Sequence, residues 1–216
     1  MDCDENGNQG DRYMGLLFTI GHSKHEFEWF VQMLKKYDIN YLLDVRSMPY
    51  SRYADTYNRE NIDRLLTSEG IHYSFMGKYF GARPDNEALY DSDGCLNFER
   101  VRVSEQFLKG KENVKVGLEQ GNNIALMCTE KDPIDCHRAI MVARAFDLDG
   151  IDVSHIMPDG SIQSQKTLDM RLLNMYFPNR AQLSLLDFET PVGDEERLIQ
   201  AYRKRNRDIG YHITKE

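Results

Sequence analysis

Residues 124–146 read IALMCTEKDPIDCHRAIMVARAF, and this stretch decides the fold. The run 124–128 is apolar throughout, the pattern of a strand covered on both faces, as strands of parallel sheets are. Cys128 then stands at the carboxyl end of that strand. Open α/β sheets bind ligands in the crevice beyond such ends, so residues 129–138 occupy the place where a site is built. The sequence leaves two openings for the following helix, Asp132-Pro133 or Asp135-Cys136. Ala139, Val142, Ala143 and Phe146 recur at helical spacing as its buried face. Free backbone N–H groups in the first helical turn, with Arg138 beside them, favour an anion. Cys136 has two readings, a core cysteine aligned with Ala139 and Ala143 or a functional thiol at the turn. His137 and Arg138 need partners if buried, and a turn at the mouth of a sheet offers solvent or ligand.

Before this stretch the chain alternates strands and helices. Residues 16–20 form a first strand running into Gly21-His22-Ser23, with Ser23 as N-cap of a helix over 24–37 buried through Phe27, Phe30, Val31 and Leu34. Residues 41–45 form a second strand, followed by Asp44, Arg46, Ser47, Ser51 and Arg52 around Pro49, a plausible cradle for phosphate or carboxylate. The competing reading pairs Asp44 internally with Arg46 or Arg52. Asn58 caps a helix over 59–69, a third strand spans 71–75, and a loop with Gly77, Gly81 and Arg83 follows. Residues 85–96 read as an exposed excursion or lid, and a helical region over 98–119 breaks at Gly110. A fifth strand over 152–156 carries His155.

These alternations predict an α/β fold: a mostly parallel central sheet with helices on both faces, a three-layer sandwich, plus a C-terminal helical appendage. The domain plan is a disordered N-terminus over 1–14, a core over 15–157, and an appendage over 158–216 packed on the core, with helices over 164–176 and 194–207. Within the appendage, the segment from Gln182 to Phe188 resembles the short QLSLF-type peptide by which bacterial repair and replication proteins dock on the sliding clamp; the competing reading is a tail segment packed on the domain.

Composition narrows the classes. The 216 residues are 41% hydrophobic and 29% charged, globular values. No apolar run reaches membrane-spanning length, so no membrane partner is expected. The first residues are acidic where a signal peptide needs basic ones, which argues against export. Four scattered cysteines make no disulfide framework, and a reducing cytoplasm fits them. A net charge of −8 argues against a surface that coats nucleic acid, though not against a local basic groove.

The strand-end residues together resemble a known family. Phe18-Thr19-Ile20-Gly21-His22-Ser23, Asp44-Val45-Arg46-Ser47 with Pro49 and Ser51-Arg52, and Cys128 with Glu130, Pro133 and Cys136-His137-Arg138 are similar to the domain of unknown function 488. The resemblance covers residues 16–157 and includes His155-Ile156. It implies a compact cytoplasmic α/β protein, mostly bacterial or archaeal, of unassigned activity. One departure is Gly81-Ala82-Arg83, where the family tends to show paired glycines before the arginine. The strand at Asp44-Val45-Arg46 also looks like a segment of rhodanese sulfurtransferases. The amide loop and closing arginine that such enzymes place after their cysteine are missing after Cys128, which favours Cys136, at a helix start, as the reactive thiol.

The leading functional reading is an enzyme with an anion-binding crevice at the strand carboxyl ends. His22, Glu130, Cys136 and His137 are the catalytic candidates. Ser23, Asp44, Arg46, Ser47, Arg52, Arg83, Cys128 and Arg138 are the binding candidates for a phosphate-bearing small molecule or nucleic-acid end. The alternative is a non-enzymatic repair accessory recruited to a sliding clamp through the segment from Gln182 to Phe188. A third reading makes Asp44, Arg46, Glu130 and Arg138 an internal ion-pair network. No cofactor is expected, and no metal, because Cys128, Cys136 and His137 lack the paired spacing of zinc modules.

Overall fold

The structure, a computed structural model, describes residues 15–23, 25–179 and 193–213. The expected disordered segment 1–14 and the clamp-like segment 182–188 lie outside the described residues.

A six-stranded sheet forms the middle layer, in the order β3-β2-β4-β1-β5-β6. Its strands are β1 (Leu17–Gly21), β2 (Tyr41–Asp44), β3 (His72–Phe75), β4 (Ile124–Cys128), β5 (Val153–Ile156) and β6 (Ile162–Ser164). All pairings are parallel except that of β5 with β6. Every residue of β1 and β4 is buried, as two covered faces require.

The period-two alternation of strands splits the core. Phe18, Ile20, Leu42 and Met127 meet α1 (Phe27–Lys36) and α2 (Arg59–Ser68) through Phe30, Leu34, Ile62 and Leu66. Leu17, Leu43, Leu126 and Cys128 face the opposite layer, where α4 (Phe98–Arg102), α5 (Glu105–Glu119), α6 (Arg144–Asp147), α7 (Gln165–Tyr176) and α8 (Asp194–Ile209) contribute Phe98, Phe107, Phe146, Leu168 and Tyr202. The short α3 (Gly77–Phe80) adds Phe80 to the same layer. This is the three-layer α/β arrangement expected from the alternation. No helix among the described residues is long and apolar enough to cross a membrane.

Several local expectations are corrected. Ser23 does not cap α1; it sits at φ 44°, and the helix starts at Phe27 after Glu26. Asn58 makes no cap bond either. Its side chain instead accepts from the Ser51 amide at 2.6 Å and donates to Asp55 at 3.0 Å, bracing the loop after β2. The 98–119 region breaks at Val103, where Ser104 caps α5, and not at Gly110. Gly110 lies inside α5 because a Cβ there would stand 2.5 Å from the Tyr79 Cβ: the glycine admits α3. Residues 85–96 are not a loose excursion, since Tyr90 bridges to Leu96 and both are buried with Cys95. After Pro158 the chain first adds β6 to the sheet edge, then α7 and α8 share the core of the main layer.

His155 ties these parts together. It lies opposite Thr19 in the β1/β5 register, and the Thr19 hydroxyl reaches its Nδ1 at 2.8 Å. Its Nε2 donates to Gln165 at 2.8 Å; Gln165 in turn donates to the Tyr202 hydroxyl, which donates to Asp169. The chain of bonds runs from the sheet centre to α8, through groups that burial requires to be partnered.

Candidate active site

The helices after β1 and β2 cover one face of the sheet and the helix after β4 covers the other. Since β4 lies between β2 and β1, the chain parts there to opposite sides and leaves a hollow beyond the strand ends. The hollow encloses about 560 Å³. Its walls come from the loop after β2 (Arg46, Ser47, Met48, Tyr50), from Ala82 and Arg83, from Cys128–Glu130, from Asp135–His137, and from Ile209–His212.

The segment after β4 is shaped by its own sequence. Asp132 accepts from the Ile134 amide at 3.0 Å and caps a single 3-10 turn, Pro133–Asp135, while Arg171 of α7 clamps its carboxylate. Asp132-Pro133 therefore opens only this turn. The longer helix begins after His137, with a π-helical stretch, Arg138–Ala143, that leads into α6. Such wide turns recur at functional sites.

The turn brings three reactive atoms to within 4.8 Å of one another at the floor of the hollow. His137 Nδ1 stands 3.8 Å from Cys128 Sγ and 3.9 Å from Cys136 Sγ, and its other nitrogen, Nε2, donates to the Val45 carbonyl at 3.0 Å. A carbonyl only accepts, so that bond orients the ring and leaves Nδ1 for the sulfurs. Burial by itself would raise the Cys136 thiol. The neighbouring Cys128 and the positive charges of Arg138 and His137 outweigh it and hold Cys136 well below the ordinary thiol range. Cys128 is pushed well above that range by Cys136 and by burial. Burial opposes protonation of His137, but the Cys136 sulfur and the Val45 carbonyl raise its pKa. Glu130, at the rim, is raised by burial and by the nearby Cys136 charge. Arg138 is 0% exposed, its guanidinium donating to the Glu130 and Lys131 carbonyls at 2.6 and 3.3 Å. Among the described residues it has no carboxylate partner, and its Nε is unbonded. Cys136, whose pKa is lowered partly by the Arg138 charge, is a group whose ionised form would offset this buried charge.

Gly21 makes this packing possible. A Cβ there would lie 2.0 Å from the Glu130 carbonyl oxygen and 3.2 Å from the Arg138 guanidinium.

Of the residues expected at the site, Arg46, Ser47, Arg83, Cys128, Glu130, Cys136 and His137 line the hollow. His22, Ser23, Asp44, Arg52 and Arg138 do not. Asp44 and Arg46 form the internal pair, with two side-chain bonds at 2.9 and 2.6 Å, to which Tyr73 adds a hydroxyl at 2.7 Å. Arg46 also donates to His22 Nε2 at 3.1 Å and to the Tyr57 carbonyl at 2.7 Å. His22 donates from Nδ1 to the Ser23 carbonyl and is stacked on Tyr57. Burial and Arg46 lower its pKa to about 4, and the ring holds Arg46 from outside the lining of the hollow. Arg52 is exposed on the loop. Glu130 is joined to Arg138 through its backbone and not its carboxylate, so the internal network stops at Asp44 and Arg46. Arg83 is exposed, stacks at 4.7 Å on Tyr211, and has no carboxylate partner among the described residues.

Sequence reasoning missed Tyr50, Tyr211 and His212. The last two reach the hollow because the segment after α8 pairs with residues 94–96, through Leu96 N to Tyr211 O at 2.9 Å and the Cys95–His212 bridge. No local pattern announces such a long-range pairing.

The family model for the domain of unknown function DUF488 matches residues 26–145, more than half of the chain. This chain belongs to that family. No curated protein and no solved structure matches it. Within the DUF488 segment lie β2, β3, β4 and the whole Cys128–His137 turn, while β1 and the wall at Tyr211 and His212 come from outside it.

Proposed function

We propose that this DUF488 protein is an enzyme working in the hollow beyond β2 and β4, on a substrate carrying an anionic group, a phosphate of a nucleotide or of a nucleic-acid end. The reading is carried by one observation: Cys128, Cys136 and His137 converge on the floor of a hollow large enough for a small ligand. The cluster is the reacting centre, Glu130 is the proton carrier at the rim, and Arg83 receives the anion. Arg46 and Arg138, first choices as anion ligands on sequence grounds, serve to hold the strand ends and the turn. A reducing cytoplasm suits the three cysteines of the described residues, all of them free thiols.

Binding tests the proposal directly. Phosphate, pyrophosphate, nucleoside monophosphates and a 5′-phosphorylated oligonucleotide are titrated against wild type and Arg83→Ala by calorimetry and thermal shift. Loss of one charge-assisted contact corresponds to about 1.5–3 kcal/mol, roughly a 10- to 100-fold weaker Kd in the variant. Absence of binding by every ligand, or equal affinity in Arg83→Ala, overturns the assignment.

A further inference from the structure

We propose that Cys128, Cys136 and His137 form a metal site for a thiophilic divalent cation of the zinc class, with its fourth position open to the hollow. The idea deepens the enzyme reading by naming the cofactor of the same centre, and it rests on that reading only for what the open position meets. Ligands on a tetrahedral zinc ion bond at about 2.3 Å through sulfur and 2.0–2.1 Å through nitrogen, which sets them roughly 3.5–3.8 Å from one another. Here the two S···N separations are 3.8 and 3.9 Å, and the three ligand atoms all lie within 4.8 Å of one another. The S···N separations need shifts of only a few tenths of an ångström, and closing the sulfur–sulfur gap by up to about 1 Å would bring all three onto one ion.

Three further features suit a metal. The His137 Nε2–H bond to the Val45 carbonyl is the outer contact that metal-bound histidines make, fixing the tautomer and aiming the Nδ1 lone pair at the sulfurs. The ligands come from a strand end and a braced helix start, held by the Asp132–Arg171 clamp and by the close passage of Gly21, so the set is preorganised. Two soft thiolates with one imidazole select zinc over magnesium or calcium. Three protein ligands with the remaining side facing a cavity is the arrangement of catalytic and not of structural zinc. The cation would supply Lewis-acid activation of a bound water or substrate oxygen, beside Glu130 and Arg83. The linear sequence hides the set because seven residues separate the cysteines and the third ligand is the very next residue.

Cobalt(II) is the probe, added to chelator-stripped full-length protein. The expected result is one equivalent bound, with intense sulfur-to-cobalt charge-transfer absorption and tetrahedral visible bands, both abolished by zinc. Cys128→Ser, Cys136→Ser and His137→Ala should each weaken cobalt affinity by 10-fold or more, while a Cys3→Ser/Cys95→Ser variant binds as wild type. Since a core cysteine variant can misfold, a second measurement uses wild type alone: zinc should protect Cys128 and Cys136, and leave Cys95 unprotected, against alkylation mapped by mass spectrometry. A cobalt spectrum without thiolate character, binding that survives Cys128→Ser, or equal alkylation with and without zinc overturns the site. Phosphate titration of the stripped protein separates the two proposals: anion binding without cobalt binding removes the metal alone, and cobalt binding without any anion binding removes the substrate assignment alone.

Discussion

Acid should unfold this protein partly through His155, and the size of the effect follows from its surroundings. The imidazole is 0% exposed, and burial, reinforced by the Arg138 charge, lowers its pKa from 6.5 to about 3. Its two nitrogens are already matched as a neutral ring, accepting from Thr19 and donating to Gln165. In the unfolded chain the ring takes up a proton near pH 6.5, while in the folded chain it stays neutral until about pH 3. Between those limits the unfolded state holds the extra proton, so stability falls as pH falls. One such proton corresponds to about 1.4 kcal/mol per pH unit, or roughly 2 kcal/mol between about pH 6 and pH 4.5. His22, lowered to about 4, adds a similar slope over the upper part of that range. Urea denaturation of wild type and His155→Gln across this range isolates the effect, because carboxylate contributions are common to both. The variant should be less stable at pH 7, through the broken bonds, yet its stability should decline less steeply by about 1.4 kcal/mol per pH unit. Parallel curves for the two proteins would refute the buried neutral histidine.

Two further changes probe the frame of the site. Arg46→Met leaves Asp44 buried without its cation and should cost about 3–5 kcal/mol in urea denaturation; a cost under about 1 kcal/mol would mean the pair contributes little. Gly21→Ala forces a methyl group against the Glu130 carbonyl and should lower stability by about 1–3 kcal/mol through displacement of the turn. A thermal unfolding midpoint matching wild type would show that the turn yields freely.

The sheet was legible because its central strands β1 and β4 are buried on both faces and the helix after β1 carries a clear apolar period, as in Phe27, Phe30, Val31 and Leu34. What escaped has identifiable causes. β6 is three residues, Ile162–Ser164, with no residue buried, too short for any periodicity. Gly110 reads as a breaker in one dimension, and only the neighbouring Tyr79 reveals it as a contact. At the site, the position of Cys128 at a strand end and of Cys136-His137-Arg138 at a helix start could be read from the chain. Side-chain direction could not. The π-helical turn carries Arg138 inward to two carbonyls while His137 faces the sulfurs, and spacing rules built on a regular helix do not anticipate that division between adjacent residues.

The placement of β1 has a practical consequence. It threads between β4 and β5, yet it precedes the segment by which the family is recognised. A fragment cut to residues 26–145 would therefore expose the long edge of β4, lose the strand whose glycine lets the Glu130 loop close down, and leave an aggregation-prone seam in place of a binding floor. Any surrogate meant to report on this hollow has to begin upstream of Leu17 and run past His212.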